Sequence, residues 1–221
     1  MASSSSSEAI ALALKEHVYD ECLIDKLEPY VTEQVNASTY DFIANKALLK
    51  LYSFFPQRRN EQITAQILIK AIMNLPSTDM TLCLYLVPED VRESESIRQL
   101  VKYWELLEAA KFVEFWEAAN LGGNTLLDSV PGFDTAIRSY MVGVLAISYQ
   151  RIESDVFMEL LALDKAHLDA YVNQMPNLMN LDENKTSVVF TANAQNQPRP
   201  MTFKENISFD RMVPVMSLLT V

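Results

Sequence analysis

Two histidines, two cysteines and a scatter of carboxylates are the groups in this chain to weigh first for chemistry. His17 and Cys22 are zinc-ligand types, but a zinc site needs three or four protein ligands, and two at this spacing make none. His167 falls in the first turn of an expected helix beside Asp164, where a local polar contact accounts for it. Asp20, Glu21, Glu105, Glu108, Glu114 and Glu117 recur at roughly helical spacing, the mark of a solvated helix face rather than an acid–base pair. The chain contains no Ser/His/Asp set, Gly-rich phosphate loop, HExxH or CxxC. No enzyme, cofactor or bound metal is expected. Aromatic residues offer binding rather than bond-making chemistry. Trp104, Phe112, Phe115 and Trp116 recur at helical spacing, which fits core packing, although one of the tryptophans could anchor a partner.

The surrounding elements read as helices. With four glycines in 221 residues, the sequence lacks the tight turns that a glycine-rich loop fold requires. From Thr39, Tyr40, Ile43, Ala44, Ala47, Leu48, Leu51, Tyr52 and Phe55 follow helical spacing, and Asp41, Asn45, Lys46, Lys50 and Ser53 lie opposite. A second helix, about 61–75, is apolar nearly all round; its thin wet stripe is Gln66, Lys70 and Asn74. Such a helix must be covered on most sides. Pro76 ends it, and Ser77, Thr78 and Asp79 can cap the next, which Pro88 closes. Further helices are expected at about 94–110, around Phe112–Ala119 with Gly122–Gly123 as the stop, and from Phe133 to Leu145. Residues 8–36 predict one or two helices, with Pro29 as a break or a first-turn residue.

After Gln150 the pattern changes. Ser154 is expected to cap a short helix bearing Val156, Phe157, Leu160 and Leu161, and Asp164 a second with Leu168, Tyr171, Val172 and Met175 inward. Leu178–Leu181, a polar turn and Ser187–Thr191 predict a β-hairpin. Asn193 to Pro200 reads as a loop, Phe203 as the start of a small strand, and Phe209–Leu219 as a helix interrupted by Pro214. The expected fold is therefore mainly α: a disordered tail (1–7), an α-solenoid-like, HEAT-like stack (8–150), and a winged helix with a small β-hairpin and a C-terminal helix (151–221).

Charge narrows the partners. The net charge is −11, and both halves are acidic. Nucleic-acid binding draws on a clustered basic patch, yet the longest basic cluster is Arg58–Arg59. The expected second helix of the wing carries Lys165, His167, Asp164 and Asp169, with no net positive face. Strong direct nucleic-acid binding is not expected. No run approaches the roughly 20 apolar residues of a membrane helix, MASSSSSEA does not resemble a secretory signal, and two cysteines make no disulfide framework. A cytoplasmic protein is expected. Contact with other proteins remains, through edge pairing of the wing around Val188 and Phe190 and through the stripe Phe209, Met212, Val213, Met216 and Leu219, which could equally pack on its own domain.

Leu48-Leu-Lys-Leu-Tyr52, Thr64–Cys83, Leu106-Leu-Glu-Ala-Ala-Lys-Phe112, Phe115-Trp116, Pro131-Gly-Phe-Asp134 and Ser148-Tyr-Gln-Arg-Ile152 together resemble subunit k of eukaryotic translation initiation factor three, over about Leu27 to Met212. The resemblance implies a PCI-type helical repeat joined to a winged helix. It also implies a non-catalytic scaffold that pairs with subunit l and helps the factor sit on the small ribosomal subunit. The chain departs from that pattern over its first 26 residues and at Met175-Pro176-Asn177, where the family often places a Gly-Trp pair. Two alternatives stay open: an autonomous nucleic-acid-binding winged helix, and a proteasome-lid or signalosome scaffold subunit.

Overall fold

Side chains of Asp20, Asp41 and Asn60 accept from backbone amides that the starts of the first helical segments leave free. A computed structural model describes residues 10–15, 19–121, 127–198 and 209–218. Residues 10–15 form helix α1. The Asp20 carboxylate accepts from the Cys22 amide at 3.0 Å and opens a 3-10 turn that runs into α2 (Ile24–Asn36). Asp41 accepts from the Ala44 amide at 3.1 Å and starts α3 (Phe42–Phe54). Asn60 caps α4 (Glu61–Met73) through Gln62 at 3.0 Å and Ile63 at 3.4 Å. There follow α5 (Asp79–Leu86), α6 (Glu89–Arg92), α7 (Glu95–Glu108), α8 (Phe112–Leu121) and α9 (Phe133–Ser148). Gly132 leads into α9 at φ 82°, a left-handed conformation that glycine adopts without a Cβ penalty.

These helices stack in pairs. The Tyr40 hydroxyl, just before α3, donates to Asp79 at the start of α5 at 2.9 Å. At the other end, the Ser53 hydroxyl donates to the Leu86 carbonyl at 2.9 Å. Helices α3 and α5 therefore lie side by side and run the same way, as alternate helices of a solenoid do. Helix α4 packs on α2, α3, α5, α7 and α9, and Ile67, Leu68, Ile69, Ala71 and Ile72 are wholly buried.

The expected wet stripe of α4 is not wet along its length: Asn74 is exposed, Gln66 half-buried and Lys70 only 4% exposed. On α3 the expected face is rotated. Ile43 is 67% exposed, whereas Asn45, expected on the polar side, is buried at 1%. A long-range partner explains the difference: Asn45 and Gln34 of α2 exchange amide hydrogen bonds at 3.1 and 3.2 Å. Pro29 neither breaks α2 nor opens it; it sits inside the helix.

Past residue 150 come β1 (Arg151–Glu153), α10 (Ser154–Leu161), α11 (Lys165–Asn173), β2 (Met179–Leu181), β3 (Ser187–Phe190) and α12 (Phe209–Leu218). The strands form an antiparallel sheet in the order β1-β3-β2. Sequence patterning anticipates the hairpin but not β1. Ser154 does not cap α10; Glu153 holds the cap position, and the buried Ser154 hydroxyl donates to the Lys185 carbonyl at 3.0 Å, tying the helix to the hairpin turn.

The molecule is thus a mainly helical stack followed by a winged helix, and one hydrophobic core runs through both, from Leu23 to Phe190. Trp116 of α8 donates through Nε1 to the Leu160 carbonyl at 3.1 Å, and Arg138 of α9 donates through Nε to Leu161 at 3.0 Å. The Arg138 guanidinium lies 4.9 Å from the Trp116 ring centre. Two side chains of the stack thereby satisfy carbonyls that the end of α10 leaves open. Residues 1–7, His17, Gly122–Gly123, the strand expected at Phe203, and Leu219 lie outside the described residues.

Candidate protein-interaction surfaces

Val188 and Phe190 sit on β3, the central strand, with their side chains 0% and 4% exposed. Phe190 packs on Phe157 of α10 at 6.4 Å between ring centres. The backbone of β3 is engaged on both sides: Ile152 pairs with Val188 from β1, and Asn180 with Val189 from β2. In the free chain these two residues build the sheet, and the open edges belong to the strands flanking them.

The β2 edge follows from alternation. The Thr191 amide donates to Leu178 and the Asp182 amide to the Ser187 carbonyl, both at 2.9 Å, so positions 178, 180 and 182 face the β3 ladder. Met179 and Leu181 then point their backbone groups the other way. The Met179 amide is taken by the Met175 carbonyl at 3.2 Å. Among the described residues nothing bonds the Leu181 amide or carbonyl. Among the described residues a short stretch of the β2 edge is therefore unpaired.

Helix α12 carries the second expected surface. Met212 is 41% exposed, Val213 46%, Val215 60% and Met216 55%. Pro214 lies inside the helix without ending it. Phe209 begins α12, and its side chain, like Leu219, lies outside the described residues. The expected stripe is thus present as exposed apolar residues at Met212, Val213 and Met216.

Among the described residues of the wing, the electrostatics do not favour phosphate. Lys165 pairs with Asp155 at 3.3 Å, Arg151 lies 4.0 Å from Asp182, and Lys185 is bonded to Asp169. His167 stands 4.0 Å from Asp164. Lys165, Arg151 and Lys185 each have a carboxylate beside them, and α11, the helix in the recognition position, presents no free cluster of positive charge.

Reactive groups are held protonated. Burial pushes the Cys83 thiol up to about 12, and the neighbouring Asp20 carboxylate raises the Cys22 thiol. Neither is poised as a nucleophile. Burial likewise raises the Tyr40, Tyr52 and Tyr171 phenols, Tyr40 and Tyr52 also through bonds to Asp79 and Glu28. Among the described residues no group of three or more His, Cys, Asp or Glu is placed to hold a metal ion, and no helix is long and apolar enough to cross a membrane. Trp104, Phe112, Phe115 and Trp116 are core or half-buried, with Phe115 and Trp116 edge to face at 5.0 Å.

The feature that patterning missed is the set of exposed apolar residues on α3 and α5, where Ile43, Phe54, Leu82 and Tyr85 stand 67%, 56%, 44% and 77% exposed. The signal was available: with Leu48, Leu49, Leu51 and Tyr52 buried, an apolar Ile43 and Phe54 exceed what one buried face can hold.

Comparison with known proteins agrees with this architecture. A model of the CSN8/PSMD8/EIF3K family matches residues 58–200. The chain is 36% identical over 192 residues to eukaryotic translation initiation factor 3 subunit K of Danio rerio, covering 86% of this chain and 85% of the relative. It is 33% identical to the subunit K of Homo sapiens, covering 86% of each. For that of Dictyostelium discoideum the identity is 31%, over 85% of this chain and 76% of the relative.

Proposed function

The chain belongs to the CSN8/PSMD8/EIF3K family, and from that premise we propose that it is a non-catalytic scaffold subunit of the eukaryotic translation initiation factor 3 complex. The observation that carries this is likeness to subunits named K over 86% of the chain. In this reading the protein works by presenting surfaces. The helical stack fixes the winged helix through Trp116 and Arg138, the wing offers the β2 edge at Leu181, and α12 offers Met212 and Met216. Val188 and Phe190 hold the sheet that sets the edge. Subunit l is the partner that pairs with this wing, the assembled factor meets the small ribosomal subunit, and the protein works in the cytoplasm.

A stable subunit contact buries on the order of 1,600 Å², more than a three-residue strand supplies, so α12 and the β2 edge act together. Affinity purification of the tagged full chain from eukaryotic cytosol tests the assignment. Other subunits of the factor, subunit l among them, and small-subunit ribosomal proteins are the expected co-purifying species. Recovery of proteasome-lid or signalosome subunits in their place, or of no partner under mild salt, would overturn it.

A further inference from the structure

A groove of about 410 Å³ opens on the stack, lined by Leu14, Ile43, Lys46, Ala47, Lys50 and Leu86. It lies between α1, α3 and α5. On the same two helices, Leu82 and Tyr85 of α5 and Phe54 of α3 are also exposed apolar residues. Exposed apolar residues gathered in one place mark contact surfaces, whereas single scattered ones need no explanation.

The charge of the groove runs against that of the molecule. The groove's lining holds two cations, Lys46 and Lys50, and no acidic residue, in a chain of net charge −11. Asp79, at the start of α5, is occupied, accepting from Tyr40 at 2.9 Å and from Asn74 at 2.8 Å. Lys46 and Lys50 are four residues apart on α3 and so share one face. Lys50 donates to the neutral Tyr19 hydroxyl at 2.8 Å, and no carboxylate among the described residues pairs with it. Tyr19 packs edge to face on Phe54 at 5.3 Å, extending the same surface.

We propose that this groove is the docking site for an acidic amphipathic helix of a partner subunit, its leucine-type residues on Ile43, Ala47 and Leu86 and its carboxylates on Lys46 and Lys50. The proposal rests on the chain being a factor subunit, and adds a contact on the stack, separate from the wing. An apolar groove with cations at its rim suits this occupant by shape and by charge. RNA would find phosphate partners here but no flat platform of stacked rings between the two lysines.

Two measurements decide it. The first uses the purified full chain and fluorescein-labelled designed peptides of about five helical turns, with Leu at i, i+3, i+4 and i+7 and Glu or Lys at the other positions. The Glu peptide is expected to bind about fivefold tighter than the Lys peptide, two exposed ion pairs each being worth a fraction of a kcal/mol to about 1. The preference should reverse in Lys46→Glu/Lys50→Glu, and Ile43→Asp should weaken both peptides. Equal binding, no binding, or indifference to these substitutions overturns the groove assignment. The second places a photo-reactive phenylalanine at Tyr85 in the reconstituted factor. A crosslink to one acidic, leucine-spaced segment of another subunit is expected; crosslinks to RNA, to a second copy or to nothing overturn it. Failure of the chain to enter the factor defeats the subunit assignment instead, and the peptide comparison still decides the groove.

Discussion

At the scale of residues, two buried polar side chains on neighbouring helices behave oppositely. Asn45 is satisfied: it exchanges hydrogen bonds with Gln34, and Gln34 also accepts from the Asp41 amide at 2.8 Å. Asn45→Leu strands the Gln34 amide in the core, so a loss of about 1–3 kcal/mol is expected, read as a midpoint shift in urea at unchanged slope. Gln34→Leu in the same chain should recover much of it, since removing both partners is far cheaper than removing one. Failure of the double variant to recover would refute the pairing. Lys70 is different. It is 4% exposed, no carboxylate among the described residues pairs with it, and burial lowers its pKa. One turn earlier, Gln66 buries its Oε1 without a partner among the described residues. A folded pKa below the ordinary lysine range means that the charged form disfavours folding, fully at pH values below that folded pKa, and that the penalty fades as pH rises through it toward the free-lysine range. Lys70→Met keeps the aliphatic stem and should raise Tm by about 2–4 °C near neutral pH, equivalent to about 1 kcal/mol in a domain of this size, with the gap narrowing as pH rises toward the free-lysine range. A variant that melts lower than the parent would show that the ammonium is held by an attraction.

At the scale of elements, the joint between stack and wing is a pair of side chains on one helix end. Arg138→Met removes the donor to the Leu161 carbonyl and the charge near Trp116 while keeping most of the packing. The amides of residues 158–163 should then exchange hydrogen faster, with a stability loss of about 1–2 kcal/mol; unchanged protection there would mean that the core alone secures α10. Such joints mark the border of what the sequence can tell. Helices α4, α7, α8 and α9 are legible because their packing faces repeat locally, every three to four residues. Strand β1 is not: Arg151-Ile-Glu153 holds one apolar residue, and only its pairing with Ser187–Val189 makes it a strand. The face of α3 misleads for the same reason, since Asn45 is buried by a partner on another helix. Val188 and Phe190 read as a hairpin strand, but its central place in the sheet depends on β1, so the open edge at Leu181 could not be located from spacing. The groove between α1, α3 and α5 depends on two parallel helices that α4 separates in sequence.

At the scale of the whole molecule, charge and shape together decide which class of partner the protein can hold. A winged helix is a frame that either nucleic acid or protein can use, so fold alone does not choose. The distribution of charge does. Acidic residues exceed basic ones by eleven, and three cations of the wing, Arg151, Lys165 and Lys185, each sit beside a carboxylate. Binding to a phosphate backbone through these three would have to break those pairs and bring a polyanion against a chain of like sign. Counterion release, which drives such association, scales with the number of phosphates neutralised, and among the described residues of the wing no cation cluster is free to neutralise several. The isolated full chain should therefore show no saturable binding to a labelled single-stranded RNA at micromolar protein near physiological salt, by fluorescence polarisation. Lowering the salt tenfold should produce at most a weak signal with a shallow salt slope. A dissociation constant in the micromolar range or below with a steep slope would return the winged helix to nucleic acid and remove the ground for treating β2 and α12 as protein-binding surfaces. Charge reversal of the wing, Asp155→Lys with Asp169→Lys, supplies the positive control: freeing Lys165 and Lys185 on the same backbone should create the RNA affinity that the parent lacks.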